Sequence, residues 1–153
     1  MLALVFLVRR WWREALFIVL SPTIEVTVFL VVTFVVDRER PPVVRLDAAP
    51  PTSSFPSGHV AASVAFYVAL ALIIDNRTRS ALLQGLAWVL AFFAPVSVLL
   101  SRLYRGMHFP TDVLFGVLGG LACLAVALLA VRAATSVAQR RRSTVAMTGA
   151  GLR

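Results

Sequence analysis

The sequence predicts an all-α, multi-pass membrane bundle with four spanning helices. Three observations carry that expectation. Of the 153 residues, 59% are hydrophobic and 14% charged, with a mean hydropathy of +0.87; a soluble domain is nearer half apolar and a quarter charged. Four apolar runs, 15–36, 58–74, 81–100 and 113–134, approach or exceed the roughly 20 helical residues needed to cross a hydrocarbon core. Period-two alternation is absent from them, which argues against a β-barrel, and helices satisfy their own backbone groups in lipid.

The arginines orient the bundle. All 15 basic side chains are arginine, against 7 acidic ones, for a formal charge of +8. Arg9, Arg10 and Arg13 precede the first run, Arg77 and Arg79 join the second to the third, and Arg132, Arg140, Arg141, Arg142 and Arg153 follow the fourth. Alternating helices bring these together on one side, which the enrichment of basic residues on inner flanks marks as cytoplasmic. Arg38, Arg40, Arg45, Arg102 and Arg105 fall on the opposite, extracytoplasmic face. A basic chain can bind nucleic acid, but arginines set between apolar runs are explained by the membrane, so no nucleic-acid partner is expected.

Each element has its own signals. Residues 1–8 are apolar but too few to span. Arg9-Arg10-Trp11-Trp12-Arg13 follows them in place of a small-residue cleavage site, so they read as the end of a preceding helix rather than a signal peptide. Trp11 and Trp12 suit the membrane interface. Glu25 in the first run is costly in hydrocarbon and is expected to face protein and accept a structural hydrogen bond. Gly116 and Gly120 form a small-xxx-small pair on the fourth run, suited first to internal packing and alternatively to a homodimer; Ala61, Ala62 and Ala65 repeat the pattern on the second. Cys123 is the only cysteine, so it cannot form an intrachain disulfide and reads as a buried thiol. No Cys/His cluster has zinc-site spacing, and no metal or cofactor is expected. Residues 1–135 are read as one membrane domain. Residues 136–153 are read as a basic, disordered cytoplasmic tail lying on anionic lipid.

Two polar stretches interrupt this pattern on the extracytoplasmic side. Pro56-Ser57-Gly58-His59 stands where a loop enters the second helix. A helix start offers free N–H groups and partial positive charge to an anion, Gly58 allows close approach, and Ser57 adds a hydroxyl. An ordinary serine N-cap explains the same residues equally well. The second stretch runs from Ser101 to Asp112. Arg102 and Arg105 end the third helix, His108 follows, and Asp112 enters the fourth. A carboxylate four residues after His108 can accept its Nδ1–H and leave Nε2 as a nucleophile; it also suits a helix N-terminus by charge alone. Arg38-Glu39-Arg40-Pro41 supplies a third cluster. Arg38 fits a phosphate contact and an ion pair with Asp37 or Glu39 equally. Arginines, N–H groups, two histidines and a carboxylate on one face fit phosphoryl transfer.

The sequence resembles the type 2 phosphatidic acid phosphatase superfamily, membrane lipid phosphatases related in fold to vanadium haloperoxidases and bacterial acid phosphatases. The family motif P-S-G-H matches Pro56 to His59 in full. The motif S-R, five residues, H, three residues, D matches Ser101, Arg102, His108 and Asp112 in full. The motif K, six residues, R-P matches at Arg40-Pro41, with Thr33 at the lysine position. Membrane members usually have six spanning helices, and the resemblance covers about Trp11 to Ala134, the last four of them. The resemblance implies that His108 forms a phosphohistidine, Asp112 orients it, and His59 protonates the leaving oxygen and then activates water. It implies that Arg40, Arg102, Ser57 and the Gly58 N–H hold the phosphate without a metal, with Arg38 a candidate for the charge missing at Thr33. The implied substrate is a lipid phosphate or an isoprenoid phosphate or diphosphate, reached from the surrounding membrane lipids. The rival expectation, motivated by Thr33, is a catalytically weak or inactive protein that binds lipid phosphate for assembly.

Overall fold

The computed structural model describes Leu4 and residues 11–150, with side chains as far as Arg140. The expectation for residues 1–8 therefore lies outside the described residues, Leu4 excepted. Four helices follow: α1 (Trp12–Val36), α2 (Gly58–Arg77), α3 (Ala81–Tyr104) and α4 (Pro110–Ala150). All four are long and apolar enough to cross a membrane, and no strand occurs among the described residues. The chain is an all-α, multi-pass membrane protein.

The helix limits follow from local chemistry. The α1 helix ends at Asp37, which adopts the left-handed conformation (φ 38°) that a short polar side chain tolerates. The α3 helix starts at Ser80, whose Oγ accepts the Leu83 N–H, and ends in a turn closed by Gly106 (φ 67°). Pro110 opens α4, where its missing N–H costs no helical bond, and Asp112 follows in the first turn. The polar stretch from Ser136, expected as a disordered tail, continues α4 as helix to Ala150. Ala, Gln and Arg are good helix formers, so nothing before Gly149 stops propagation.

The α2 helix is the centre of the bundle. It packs against α1, α3 and α4; α1 also packs on α4, while α3 meets α4 only slightly. Near the arginine-rich end, Ala15, Phe17 and Ile18 of α1 meet Ala69 and Ile73 of α2 and Leu124, Ala127 and Val131 of α4. At the other end Val60, Val64 and Val113 form a second cluster. Gly116 and Gly120 are used internally. A Cβ on Gly116 would lie 2.7 Å from the Ser57 carbonyl oxygen, and one on Gly120 2.6 Å from that of Ala61. The two helices therefore approach backbone to backbone, as small residues allow. Large apolar side chains such as Val31, Phe34, Leu82 and Phe92 point outward, which suits lipid as the surrounding solvent.

Glu25 faces protein as expected and is 3% exposed. Its Oε1 has no hydrogen-bond partner among the described residues, so the structural hydrogen bond expected there is not the one that holds it. Cys123 is buried.

Candidate functional site

The three polar clusters meet at one end of the bundle, where α1 ends and α2 and α4 begin. The loop from Asp37 to Ser57 crosses this end and is sewn to the α3–α4 connection. The Leu46 N–H donates to the Arg105 carbonyl (3.5 Å), and the Ser57 N–H to the Asp112 carbonyl (3.0 Å). Arg105 Nη1 pairs with Asp47 on the same loop. Arg105 thus fastens the loop rather than facing the pocket.

His108 is buried, and its Nδ1 lies 2.6 Å from the Ser54 carbonyl oxygen. A carbonyl can only accept, so Nδ1 carries the proton and Nε2 is left with a free lone pair. The acceptor expected from the sequence was Asp112. Its Oδ2 stands 3.8 Å from Nδ1, beyond hydrogen-bond reach. The reason is that both carboxylate oxygens are engaged: Oδ1 accepts from Arg38 Nη1 (2.7 Å) and Oδ2 from the Phe109 N–H (2.8 Å). Asp112, with no exposure at all, fixes the turn that carries His108 and adds negative charge beside it.

Arg38 is committed to this arrangement. Its Nη1 also donates to Thr111 Oγ1 (2.8 Å), and its guanidinium lies 4.3 Å from the centre of the Phe109 ring. Of the two uses left open by the sequence, the structure shows an ion pair, but with Asp112 rather than Asp37 or Glu39.

Arg40 is oriented by backbone carbonyls. Nη1 donates to Met107 O (2.9 Å) and Nη2 reaches Thr52 O (3.3 Å), while Nε is buried with no partner among the described residues. Burial pulls its pKa below the ordinary value; the charge of Arg45 adds to this, Asp112 opposes it, and Arg102 adds again. The guanidinium remains cationic. Positive charge is therefore crowded here beyond what Asp112 neutralises, a setting that favours an anion.

His59, exposed at the second position of α2, lies within the fields of Arg102 and Arg40. The same two arginines act on His108, so both histidines border one cationic region. Burial is the main cause that holds His108 below the ordinary histidine pKa. The Ser54 bond and Asp112 oppose it, and Arg40 and Arg102 reinforce it. The neutral imidazole is thus the favoured form.

Ser57 occupies the N-cap position of α2 but makes no capping bond, and its buried Oγ has no partner among the described residues. The plain serine-cap explanation does not hold. Gly58 also meets a packing demand, since a Cβ there would lie 2.8 Å from Phe29 Cδ2. The space it leaves is filled by an α1 ring. Sequence reasoning missed the Ser54 and Met107 carbonyls. Main-chain acceptors exist at every residue, so no residue type signals them.

A four-helix membrane bundle with a histidine–arginine cluster at one end defines a class suited to handling phosphate at a bilayer surface. The chain belongs to the PAP2 superfamily, whose model matches residues 14–136. It is 30% identical over 125 residues to an undecaprenyl-diphosphatase of Sulfolobus acidocaldarius, covering 77% of this chain and 55% of that protein. The chain thus spans about half the length of that relative. A transmembrane PAP2 type phosphatidylglycerolphosphate phosphatase from Bacillus subtilis has a similar crystal structure. Its TM-score is 0.66 at 28% identity, over 80% of this chain and 60% of that one. Aquifex aeolicus LpxE shares the fold, with a TM-score of 0.60 at 23% identity over 83% of this chain and 73% of its own.

Proposed function

We propose that this chain is a membrane phosphatase that removes phosphate from the phosphate or diphosphate end of a lipid, through a phosphohistidine on Nε2 of His108. The observation that carries the reading is the Nδ1–H of His108 held on the Ser54 carbonyl, which leaves Nε2 as the nucleophile. Arg40 and Arg102, the unpaired Ser57 hydroxyl and the N–H groups that open α2 at Gly58 meet the charge on the phosphoryl group. Such donors, fixed in place before the reaction, are commonly the largest catalytic contribution. Asp112 acts as a positioning residue through Phe109 and Arg38, and Arg38 serves the phosphate indirectly through Asp112.

In the first half-reaction Nε2 forms a bond to phosphorus, the P–O bond to the lipid breaks, and protonated His59 gives its proton to the departing oxygen. In the second, neutral His59 takes a proton from water, whose oxygen attacks phosphorus. The P–N bond then breaks and inorganic phosphate leaves. Two of the three proteins named above, the undecaprenyl-diphosphatase and the phosphatidylglycerolphosphate phosphatase, carry a lipid-borne phosphate in their names, which supports a substrate of that class. The arginine partition favours an extracytoplasmic site with the end of α4 inside, a cell-membrane arrangement. The unit proposed for this activity is residues 1–135.

The test is phosphate release from phosphatidylglycerolphosphate and from an isoprenyl diphosphate in detergent, together with trapping of a covalent phospho-adduct. The parent chain is expected to turn over at least one of them and to form an adduct that His108→Ala lacks. Equal release by both proteins would exclude His108 as nucleophile, and binding without turnover by the parent would favour the inactive lipid-phosphate binder.

A further inference from the structure

The loop after α1 carries an apolar stretch that neither the core nor the histidine–arginine cluster absorbs. Pro41-Pro42-Val43-Val44-Arg45-Leu46 lies outside the four spanning segments. Even so, Val43, Val44 and Leu46 are all more than half exposed, Val44 at 93%. Tyr104, the last residue of α3, is 83% exposed. Grouped apolar side chains left at a surface mark a place that meets a partner or a membrane.

The stretch is held in place. The Val43 N–H donates to the Pro41 carbonyl (2.9 Å), closing a tight turn about Pro42, whose ring fixes φ. The Leu46 N–H donates to the Arg105 carbonyl (3.5 Å), and Asp47 pairs with the Arg105 side chain. Val43 and Arg45 rest on Gly106, where a Cβ would lie 2.7 Å from Val43 Cγ2 and 3.6 Å from Arg45 Cγ. The stretch therefore lies over the residues that directly follow Tyr104.

Its depth in the membrane follows from these contacts. The α3 helix has 24 residues, about 36 Å against a hydrocarbon core of about 30 Å. Its ends reach headgroup level, and a stretch fastened to Arg105 and Gly106 is held at that level too. Leu100, one turn before Tyr104 on the same side of α3, is exposed, as are Phe34 and Val35 at the end of α1. The lipid-facing surface of both helices thus runs up to this level. Arg45 sets an exposed cation among the apolar side chains. Valine and leucine suit acyl carbons, tyrosine suits the interface, and arginine suits lipid phosphate.

We propose that Val43, Val44, Leu46 and Tyr104 form a membrane anchor. This surface sinks into the headgroup–acyl boundary of an anionic leaflet at the histidine end of the bundle, with Arg45 on lipid phosphate. The anchor holds the turn from Gly106 to His108 at the depth of the lipid phosphates. It stands whether or not His108 is a nucleophile.

The full chain carrying Cys123→Ser, so that an introduced thiol is the only one, is reconstituted in phosphatidylcholine vesicles with or without phosphatidylglycerol. A nitroxide is attached at Val44→Cys. Its collisions with oxygen, which partitions into lipid, and with a neutral nickel chelate, which stays in water, are measured. Phe92→Cys, exposed on α3, gives the lipid reference; free nitroxide in buffer gives the aqueous one. Val44 is so exposed that the label displaces no packed group, and the fold is not at stake. The oxygen-to-nickel ratio at position 44 is expected to lie several-fold above the aqueous reference and below the lipid one. Phosphatidylglycerol should raise it, and Arg45→Gln should cancel the rise. A ratio equal to the aqueous one would overturn the anchor, and indifference to phosphatidylglycerol would overturn the contact with anionic lipid. Spin–spin broadening between labels would assign the patch to a second copy of the chain and overturn lipid as its partner.

Discussion

Gly119 and Gly120 are neighbours on α4, and replacing each with alanine is expected to affect stability differently. A Cβ on Gly119 meets nothing within 4 Å, whereas one on Gly120 would lie 2.6 Å from the Ala61 carbonyl oxygen and 3.1 Å from Val64 Cβ. Both substitutions gain about 1 kcal/mol of helix propensity. At Gly120 the obstacle is backbone of a packed helix and cannot rotate away. Restoring ordinary 3.4 Å contact would part α2 from α4 by about 0.8 Å. Overpacking of this kind costs about 1–3 kcal/mol. Gly119→Ala should therefore be stabilised by up to about 1 kcal/mol, and Gly120→Ala should range from neutral to about 2 kcal/mol less stable. The same parting stretches the 3.0 Å bond from the Ser57 N–H to the Asp112 carbonyl, which ties the two histidine segments together. Misplacement of reacting groups by about 1 Å can cost about a hundredfold in rate. Unfolding of both variants in one detergent, with phosphate release measured in parallel, checks the argument. Equal stability shifts, or full turnover in Gly120→Ala, would refute it.

Burial, with Arg40 and Arg102 reinforcing it and Ser54 and Asp112 opposing, holds His108 below the ordinary histidine value of about 6.5. Its neutral form is the nucleophile and is lost only as pH falls through that lowered value, so the acid limb of kcat/KM is expected below about pH 6.5. A limb above that value would count against His108 as the titrating group. Asp112→Asn keeps the size of the side chain but removes the charge that pairs with Arg38 and accepts the Phe109 N–H. A loss of at least about a hundredfold in turnover with the helical content retained is expected, and an unchanged rate would remove Asp112 from the site. Arg40→Lys replaces a planar fork spanning Met107 O and Thr52 O with a single ammonium; KM for the lipid phosphate should rise about tenfold or more, and an unaltered KM would mean that charge alone suffices. Activity is expected to survive excess chelator, measured as phosphate release. Loss reversed by a divalent cation would contradict a site built on arginines and N–H groups.

Much of the molecule was legible because the bilayer imposes simple rules. Hydrocarbon thickness fixes helix length, so the four spans could be read from apolar runs, and the arginine partition put His59, His108 and Asp112 on one face. The glycine pair on α4 could be read as a close-packing surface, though not that Ser57 and Ala61 were what it packed against. Polarity beyond Ser136 reads as a tail, while α4 extends to Ala150, because Ala, Gln and Arg propagate a helix without an apolar face.

By itself the sequence determined the fold class, the order of the spans, the gathering of the polar motifs at one end of the bundle and the residue types available for chemistry. All of these depend on composition and on local periodicity. Only the tertiary structure decided which group holds His108, what Asp112 and Arg38 do for each other, which ring packs beside Gly58, and that Glu14 pairs with Arg77. Those outcomes depend on carbonyls and rings brought together from distant parts of the chain. His108 and Ser54 are 54 residues apart, and Arg38 and Asp112 are 74. A main-chain oxygen has no residue identity, so its role exists only once folding has placed it against a partner.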